Sequence, residues 1–145
     1  MDEALATAER PVGSWAVWHF RLAALLNVTT CIPNAVFPNL MAVVLGVAPL
    51  NHPYFLRAFA GLGVVFGGLY YEISRDPLRN RNLIKYGWIA KAVSFTAVSY
   101  DFLMGQGSHL AIWLFFVVED FVWIPSFIYY DLRMRALAAS GQARG

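Results

Sequence analysis

The chain has 145 residues, of which 59% are apolar and 14% are charged, and its formal net charge at pH 7 is +2. A soluble domain of this length has too much surface for its volume to bury so many apolar side chains, so the composition argues against a soluble globular protein. The small net charge argues against nucleic acid as a partner, and the basic residues beside apolar runs favour membrane lipid.

Residues 1–14 form a predicted cytoplasmic N-terminal segment. This segment has acidic residues and no short apolar core followed by a cleavage site, which argues against a cleaved signal peptide. The transmembrane domain is predicted over 15–130, because a spanning helix needs about 20 mainly apolar residues and four stretches meet that length. They are 15–37, 55–74, 83–103 and 110–130. The polar residues 131–145 are a predicted cytoplasmic tail.

Proline, glycine and polar residues mark the breaks between these stretches, at 48–53, 75–81 and 104–108. A proline-containing region at 33–38 ends the first stretch before a short apolar segment, 40–47. Because the connections are short, consecutive helices are expected to be antiparallel neighbours. The predicted fold is an all-α integral membrane protein, built as an antiparallel bundle of four transmembrane helices.

The basic residues near the predicted helix ends indicate the orientation of this bundle. With four passes, the N-terminus, the second loop and the C-terminus share one side of the membrane. Eight cations lie there, namely Arg10, Arg75, Arg79, Arg81, Lys85, Arg133, Arg135 and Arg144, and Arg57 lies on the other side. Since lysine and arginine are enriched in cytoplasmic loops, both termini are predicted to be cytoplasmic.

Ionisable side chains inside the predicted spans mark candidate functional residues, because an unpaired charge in lipid costs several kcal/mol. Lys91 on the third span and the Glu119-Asp120 pair on the fourth are expected at similar depth. Adjacent residues point about 100° apart on a helix, so one carboxylate is expected to face the bundle centre. Asp120 is favoured because Phe116 and Trp123 share its face.

Two interpretations of these charges stay open. Lys91 and Asp120 either form a structural ion pair that fixes the helix register, or they bind a substrate and donate protons. Glu72 lies about one turn from the cytoplasmic end, where it either takes part in the site or has a structural role, by extending its carboxylate to the membrane surface or by pairing with Arg75 or Arg79. The candidate catalytic residues are Asp120, Glu119, Lys91 and Glu72.

The first span carries a polar face, because Asn27, Thr30 and Asn34 recur at helical spacing. Such a face usually joins helices through hydrogen bonds, and the alternative is the lining of a pocket. On the fourth span, Pro125 removes a helical hydrogen bond and frees the carbonyl of Phe121. A kink there would widen the space beside Asp120.

No metal ion or cofactor is expected. The three histidines, His19, His52 and His109, lie at different depths, so they do not form a ligand set. The chain has no Walker loop and no GxGxxG, HExxH or GxSxG motif. The single cysteine, Cys31, excludes an internal disulfide and is interpreted as a small buried apolar residue.

Three short motifs resemble those of small bacterial four-helix inner-membrane proteins of DoxX-like type. They are Ala90-Lys91-Ala92-Val93-Ser94-Phe95, Glu119-Asp120-Phe121-Val122-Trp123 and Gly67-Gly68-Leu69-Tyr70. The chain departs from the pattern at Ala90, where a glycine is usual, and by adding Glu72 and Glu119. The resemblance implies a multi-pass protein of the bacterial inner (plasma) membrane and singles out Lys91 and Asp120, but implies no activity. In architecture alone the chain is similar to sterol isomerases of the emopamil-binding type.

Two functions fit these features. The first is an intramembrane isomerase or cyclase that protonates a lipophilic isoprenoid- or sterol-like molecule through Asp120 or Glu119. Its substrate-binding residues would be Trp123, Phe116, Trp88, Tyr70, Asn27 and Asn34, with the aromatic rings stabilising a cationic intermediate. The second is a non-enzymatic membrane protein, either a small-solute carrier that works as a homodimer or an accessory subunit of a membrane complex.

Overall fold

A computed structural model describes residues 13–49, 53–105 and 109–142, and all the regular structure in these ranges is helical. The elements are α1 (Ser14–Val36), α2 (Leu40–Val44), α3 (Pro53–Arg75), α4 (Arg81–Leu103), α5 (Leu110–Glu119), a 3₁₀ turn (Phe121–Trp123) and α6 (Ile124–Gln142). The predicted all-α class is confirmed. The region predicted as a tail from residue 131 is helical as far as Gln142.

Two helical stretches are long and apolar enough to cross a membrane, Pro53–Arg75 and Leu110–Gly141. Only 17% and 11% of their most apolar windows are buried inside the protein. The core helix of a soluble protein would be mostly buried, whereas these helices present apolar side chains to the outside of the bundle. The second stretch contains α5, the 3₁₀ turn and most of α6.

The stretch predicted as one helix over 110–130 is interrupted in its middle. Asp120 has φ −118° and ψ −60°, and α5 ends there. The Trp123 N–H donates to the Asp120 carbonyl at 3.1 Å, which is a 3₁₀ bond instead of the α-helical bond to Glu119. Pro125, which has no N–H to donate to Phe121, follows directly. The interruption therefore releases the backbone carbonyl of Glu119.

The core occupies the half of the bundle that contains the start of α1. It contains Ala16, Phe20, Ala23, Ala24, Tyr70, Ile73, Ile84, Phe127 and Met134. Phe127 is fully buried, and its ring centroid lies 5.2 Å from that of Phe20 and 5.0 Å from that of Tyr70. Both ring pairs meet edge to face, a geometry that favours aromatic contact. The core thus joins α1, α3, α4 and α6.

Two glycines allow helices to approach closely. A Cβ on Gly67 of α3 would lie 2.7 Å from Cγ2 of Val28 on α1. A Cβ on Gly87 of α4 would lie 2.6 Å from Cε1 of Phe127 and 2.9 Å from Cε1 of Tyr70. Small residues at such positions are typical of helix packing in membranes.

At the other end of the bundle, the short helix α2 lies beside the end of α1. The buried side chain of Asn34 connects them, because its Oδ1 accepts the Met41 N–H at 3.2 Å while its Nδ2 donates to the Thr30 carbonyl at 2.8 Å. Gly46, with a φ of +65°, then ends the segment in the left-handed conformation that glycine adopts without strain.

The close packing around Gly87 predicts that one added methyl group at this position will lower the stability of the protein. We expect Gly87→Ala to lower the free energy of unfolding by about 1–3 kcal/mol, because its Cβ would overlap two buried rings. Gly68→Ala is the matched control, since nothing lies near its Cβ and the change from glycine should stabilise a helix by about 0.5–1 kcal/mol. Reversible unfolding in mixed detergent, followed by circular dichroism, measures both. Equal stabilities would contradict this packing.

Candidate functional site

A half-enclosed cavity of about 320 Å³ lies in the half of the bundle opposite the core. Along α3 its wall extends from Leu56 to Tyr70, roughly 21 Å at 1.5 Å per residue. Tyr70 is 1% exposed and belongs to both the core and the cavity wall, so the core forms the floor of the cavity. Residues around α2 form the other end. This volume is in the range of small-molecule sites.

The cavity is largely apolar, with a few polar groups on three helices. Its aromatic residues are Phe59, Phe66, Tyr70, Phe115 and Phe116. Its polar side chains come from α1 (Asn27, Thr30 and Asn34), from α4 (Lys91 and Ser94) and from the end of α5 (Glu119 and Asp120). An apolar wall with a few converging polar groups is the usual composition of a site for a small organic molecule.

Lys91 is the centre of the polar group. Its side chain is 5% exposed, and its Nζ lies 3.1 Å from Oδ1 of Asp120. The same Nζ donates to the backbone carbonyl of Glu119 at 2.6 Å. That carbonyl is the one released by the helix interruption, and it belongs to the negative end of the α5 dipole. The ammonium is therefore stabilised by a carboxylate and by a helix end together.

Both adjacent carboxylates line the cavity. Asp120, the residue expected to face the bundle centre, is buried, and Glu119 is half-buried beside it. Asp120 pairs with Lys91, whereas Oε1 of Glu119 accepts the Thr30 hydroxyl at 3.1 Å. The Thr30 bond also connects α1 to α5. The two carboxylates thus have different partners.

The polar face of α1 points into the cavity. Asn27 and Asn34 line it, although their amide groups donate to carbonyls of their own helix, those of Ala23 and Thr30. Thr30 makes the hydrogen bond to another helix. Of the two interpretations of this face, pocket lining describes Asn27 and Asn34, and helix joining describes Thr30.

Three of the predicted site residues lie away from the cavity. Glu72 is exposed and pairs with Arg75 at 3.3 Å, as one interpretation of the sequence had it. The Trp88 indole N–H donates to Oδ2 of Asp131 at 3.3 Å. The Trp123 ring packs on His19, with centroids 5.2 Å apart. The structure therefore brings Asn27, Asn34, Tyr70, Lys91, Phe116, Glu119 and Asp120 together, without Glu72, Trp88 and Trp123.

Ser94 is a cavity residue that sequence reasoning missed as a site residue. It follows Lys91 by three residues on α4, so the two side chains share a helix face. This spacing could have identified it. Phe59 and Phe66 were also missed, since nothing in an apolar span distinguishes cavity-facing phenylalanines from lipid-facing ones.

Neither a metal centre nor a known relative identifies the site. Within the described ranges, no group of three His, Cys, Asp or Glu residues could hold a metal ion. Comparisons with protein-family models, curated proteins and solved structures found no match. The function must therefore follow from the chemistry of the cavity.

The buried ion pair predicts a coupled effect on stability. We expect Lys91→Met and Asp120→Asn each to cost about 3–5 kcal/mol, because each leaves a buried charge without its partner. The double variant should lose clearly less unfolding free energy than the sum of the losses in the two single variants. Unfolding in mixed detergent measures the cycle.

Glu72→Gln is the control for this cycle. It removes an exposed pair and should change the stability by about 0–1 kcal/mol. Strictly additive losses at Lys91 and Asp120 would show that the two side chains are not coupled.

Proposed function

We propose that the chain is a multi-pass membrane protein with four passes, formed by α1, α3, α4 and the α5–α6 stretch. The helix α3 and the α5–α6 stretch have the length and the apolar composition of a membrane span. The helices α1 and α4 are each 23 residues long, as α3 is. At 1.5 Å per residue, 23 residues give about 34 Å, enough for a hydrocarbon layer of about 30 Å. Leu62, Val65 and Val118 are among many large apolar side chains exposed on the outside, where lipid would cover them.

The proposed orientation places both termini in the cytoplasm of a bacterial cell, in the inner membrane. The core half then lies on the cytoplasmic side, near the cations of the second loop and of α6. Lys91 is the eleventh of the 23 residues of α4, so the polar group lies near the middle of the membrane. The α2 end of the cavity faces the periplasmic side.

Reporter fusions test this orientation. A fluorescent protein that matures only in the cytoplasm should be bright when fused after residue 145. Alkaline phosphatase, which is active only in the periplasm, should be active when inserted at 50–52, because these residues follow the first proposed pass in the sequence. The reverse pattern would invert the proposed topology. Alkaline phosphatase that is active both at 50–52 and when fused after residue 145 would refute an even number of passes.

The cavity supports an intramembrane enzyme of the isomerase or cyclase type, acting on a lipophilic isoprenoid- or sterol-like molecule. The observation that carries this proposal is the different partnering of the two carboxyl groups. Lys91 is bound to Asp120 and to the Glu119 carbonyl, while the Glu119 carboxyl group faces the cavity and receives the Thr30 hydroxyl. One ammonium can balance one carboxylate, so a proton on Glu119 makes this apolar site neutral.

In the proposed reaction, Glu119 transfers its proton to a carbon of a substrate double bond. The π electrons form the new C–H bond and leave a cation on the neighbouring carbon. The faces of Phe116 and Phe59, whose ring centroids are 6.1 Å apart, would stabilise that cation. An adjacent C–H bond then returns a proton to Glu119, and its electron pair forms the relocated double bond. The reaction is redox-neutral and requires no cofactor.

A specific observation also favours the non-enzymatic alternative. The α5–α6 stretch is interrupted beside a buried cation, and interrupted helices form the binding sites of many membrane carriers. A four-helix chain would need to form a homodimer to provide alternating access. In that case Lys91 and Asp120 would bind a solute, and no bond of the solute would change.

Deuterium labelling distinguishes the two functions. Purified protein in lipid nanodiscs is incubated in deuterium oxide with a neutral-lipid extract of the source membranes, and mass spectrometry measures carbon-bound deuterium. The wild type is expected to label a lipid component, because each proton transfer from Glu119 delivers solvent deuterium. Glu119→Gln should reduce labelling by about 100-fold or more. Glu72→Gln, which changes a carboxylate outside the cavity, should label normally.

One outcome would contradict the role of Glu119, and another would contradict the enzyme. Labelling that persists in Glu119→Gln removes Glu119 as the acid. No labelling by the wild type, with a lipid retained in the cavity, favours the carrier.

A further inference from the structure

Ser94 differs from other hydroxyl-bearing residues in the helices. Thr29, Ser74 and Ser126 donate to backbone carbonyls three or four residues before them in the sequence, which is the usual solution for such side chains in a helix. The Ser94 Oγ is buried and has no hydrogen-bond partner among the described residues. A buried polar atom without a partner costs about 1–3 kcal/mol, so it requires an explanation.

The surroundings of Ser94 indicate where its partner would lie. Ser94 lines the cavity one helical turn beyond Lys91, roughly 4.5 Å along the α4 axis. An ammonium has three protons, and the Lys91 Nζ directs two of its bonds to the Glu119 carbonyl and to Asp120. One oxygen atom of a ligand can therefore accept from Ser94 beside the Lys91 and Glu119 groups.

The charge of the site selects among the possible polar groups of such a ligand. The ionisable side chains of the cavity include one cation, Lys91, and two carboxyl groups. Whether Glu119 is protonated or ionised, the three together carry a charge of zero or −1. Phosphate and carboxylate groups usually bind to arginine or to an excess of positive charge, which these side chains do not provide. An anionic group would also lose its hydration in an apolar cavity.

We infer that the ligand is a lipophilic molecule whose polar end is a single uncharged oxygen, a hydroxyl or a carbonyl, held by Ser94 at the polar end of the cavity. This inference rests on the proposed function, and it narrows the substrate class to neutral alcohols and ketones. It excludes diphosphate esters and fatty acids as ligands. The hydrocarbon part would lie along the phenylalanines toward α2.

The single cysteine of the chain provides a direct measurement of binding. Cys31 lines the cavity, so a bound ligand should slow its alkylation by N-ethylmaleimide, which intact-mass spectrometry can follow. The full-length protein in nanodiscs is tested with four probes that share one 15-carbon tail. They are farnesol, farnesoic acid, farnesyl diphosphate and the hydrocarbon farnesene.

We expect farnesol to protect Cys31 at a lower concentration than the other three probes. Ser94→Ala should weaken farnesol binding about threefold to tenfold, as expected for one hydrogen bond, and leave farnesene binding unchanged. Thr96→Ala is the matched control, because Thr96 is exposed on the same helix and should not affect either probe.

The outcomes separate this inference from the proposed function. Protection by farnesyl diphosphate or farnesoic acid equal to that by farnesol would overturn the uncharged-oxygen inference, and the lipophilic site would remain. No protection by any probe would overturn both. The comparison of probes on the wild type decides the question even if Ser94→Ala does not fold.

Discussion

The contact between the Lys91 ammonium and the end of α5 determines the arrangement of the polar residues. Inside an apolar bundle a cation needs a negative partner, and an interrupted helix needs a donor for its released carbonyl. One contact meets both requirements, because Lys91 binds the Glu119 carbonyl and the Asp120 carboxylate. Two adjacent carboxyl groups, Glu119 and Asp120, line one cavity at this point.

Around this contact the bundle has two different halves. In one half, small residues and edge-to-face aromatic rings fill the space between α1, α3, α4 and α6. In the other half, α1, α3 and α4 enclose a cavity together with α2 and α5. Tyr70 belongs to both halves, and its ring lies 5.9 Å from the Lys91 Nζ. The packed half can therefore hold the polar group in position at one end of the cavity.

The sequence predicted the helical class and the similar depth of Lys91 and Asp120, because apolar length and charge position are directly readable from it. Pro125 indicated a disturbance, but not that the helix would turn at Asp120, since this depends on a lysine of another helix that donates to the released carbonyl. Trp88 shares a face of α4 with Lys91, but it lies one turn away on the side of the core, where it donates to Asp131. Trp123 was placed in the wrong surroundings for a reason related to the interruption. Successive side chains point about 100° apart around a helix axis. An interruption therefore turns every later side chain toward a different side of the bundle.

The closed floor at Tyr70 has a consequence for how fast a ligand can bind. Because the core blocks that end, the proposed ligand would reach the polar group along the apolar wall, with its polar end leading. During this passage its oxygen has left water or the headgroup region and has not yet reached Ser94. The barrier to entry is then the cost of desolvating that one group, which is much smaller for a hydroxyl than for a charged group. Selection among ligands would therefore begin in the association rate, before any contact with the carboxyl groups.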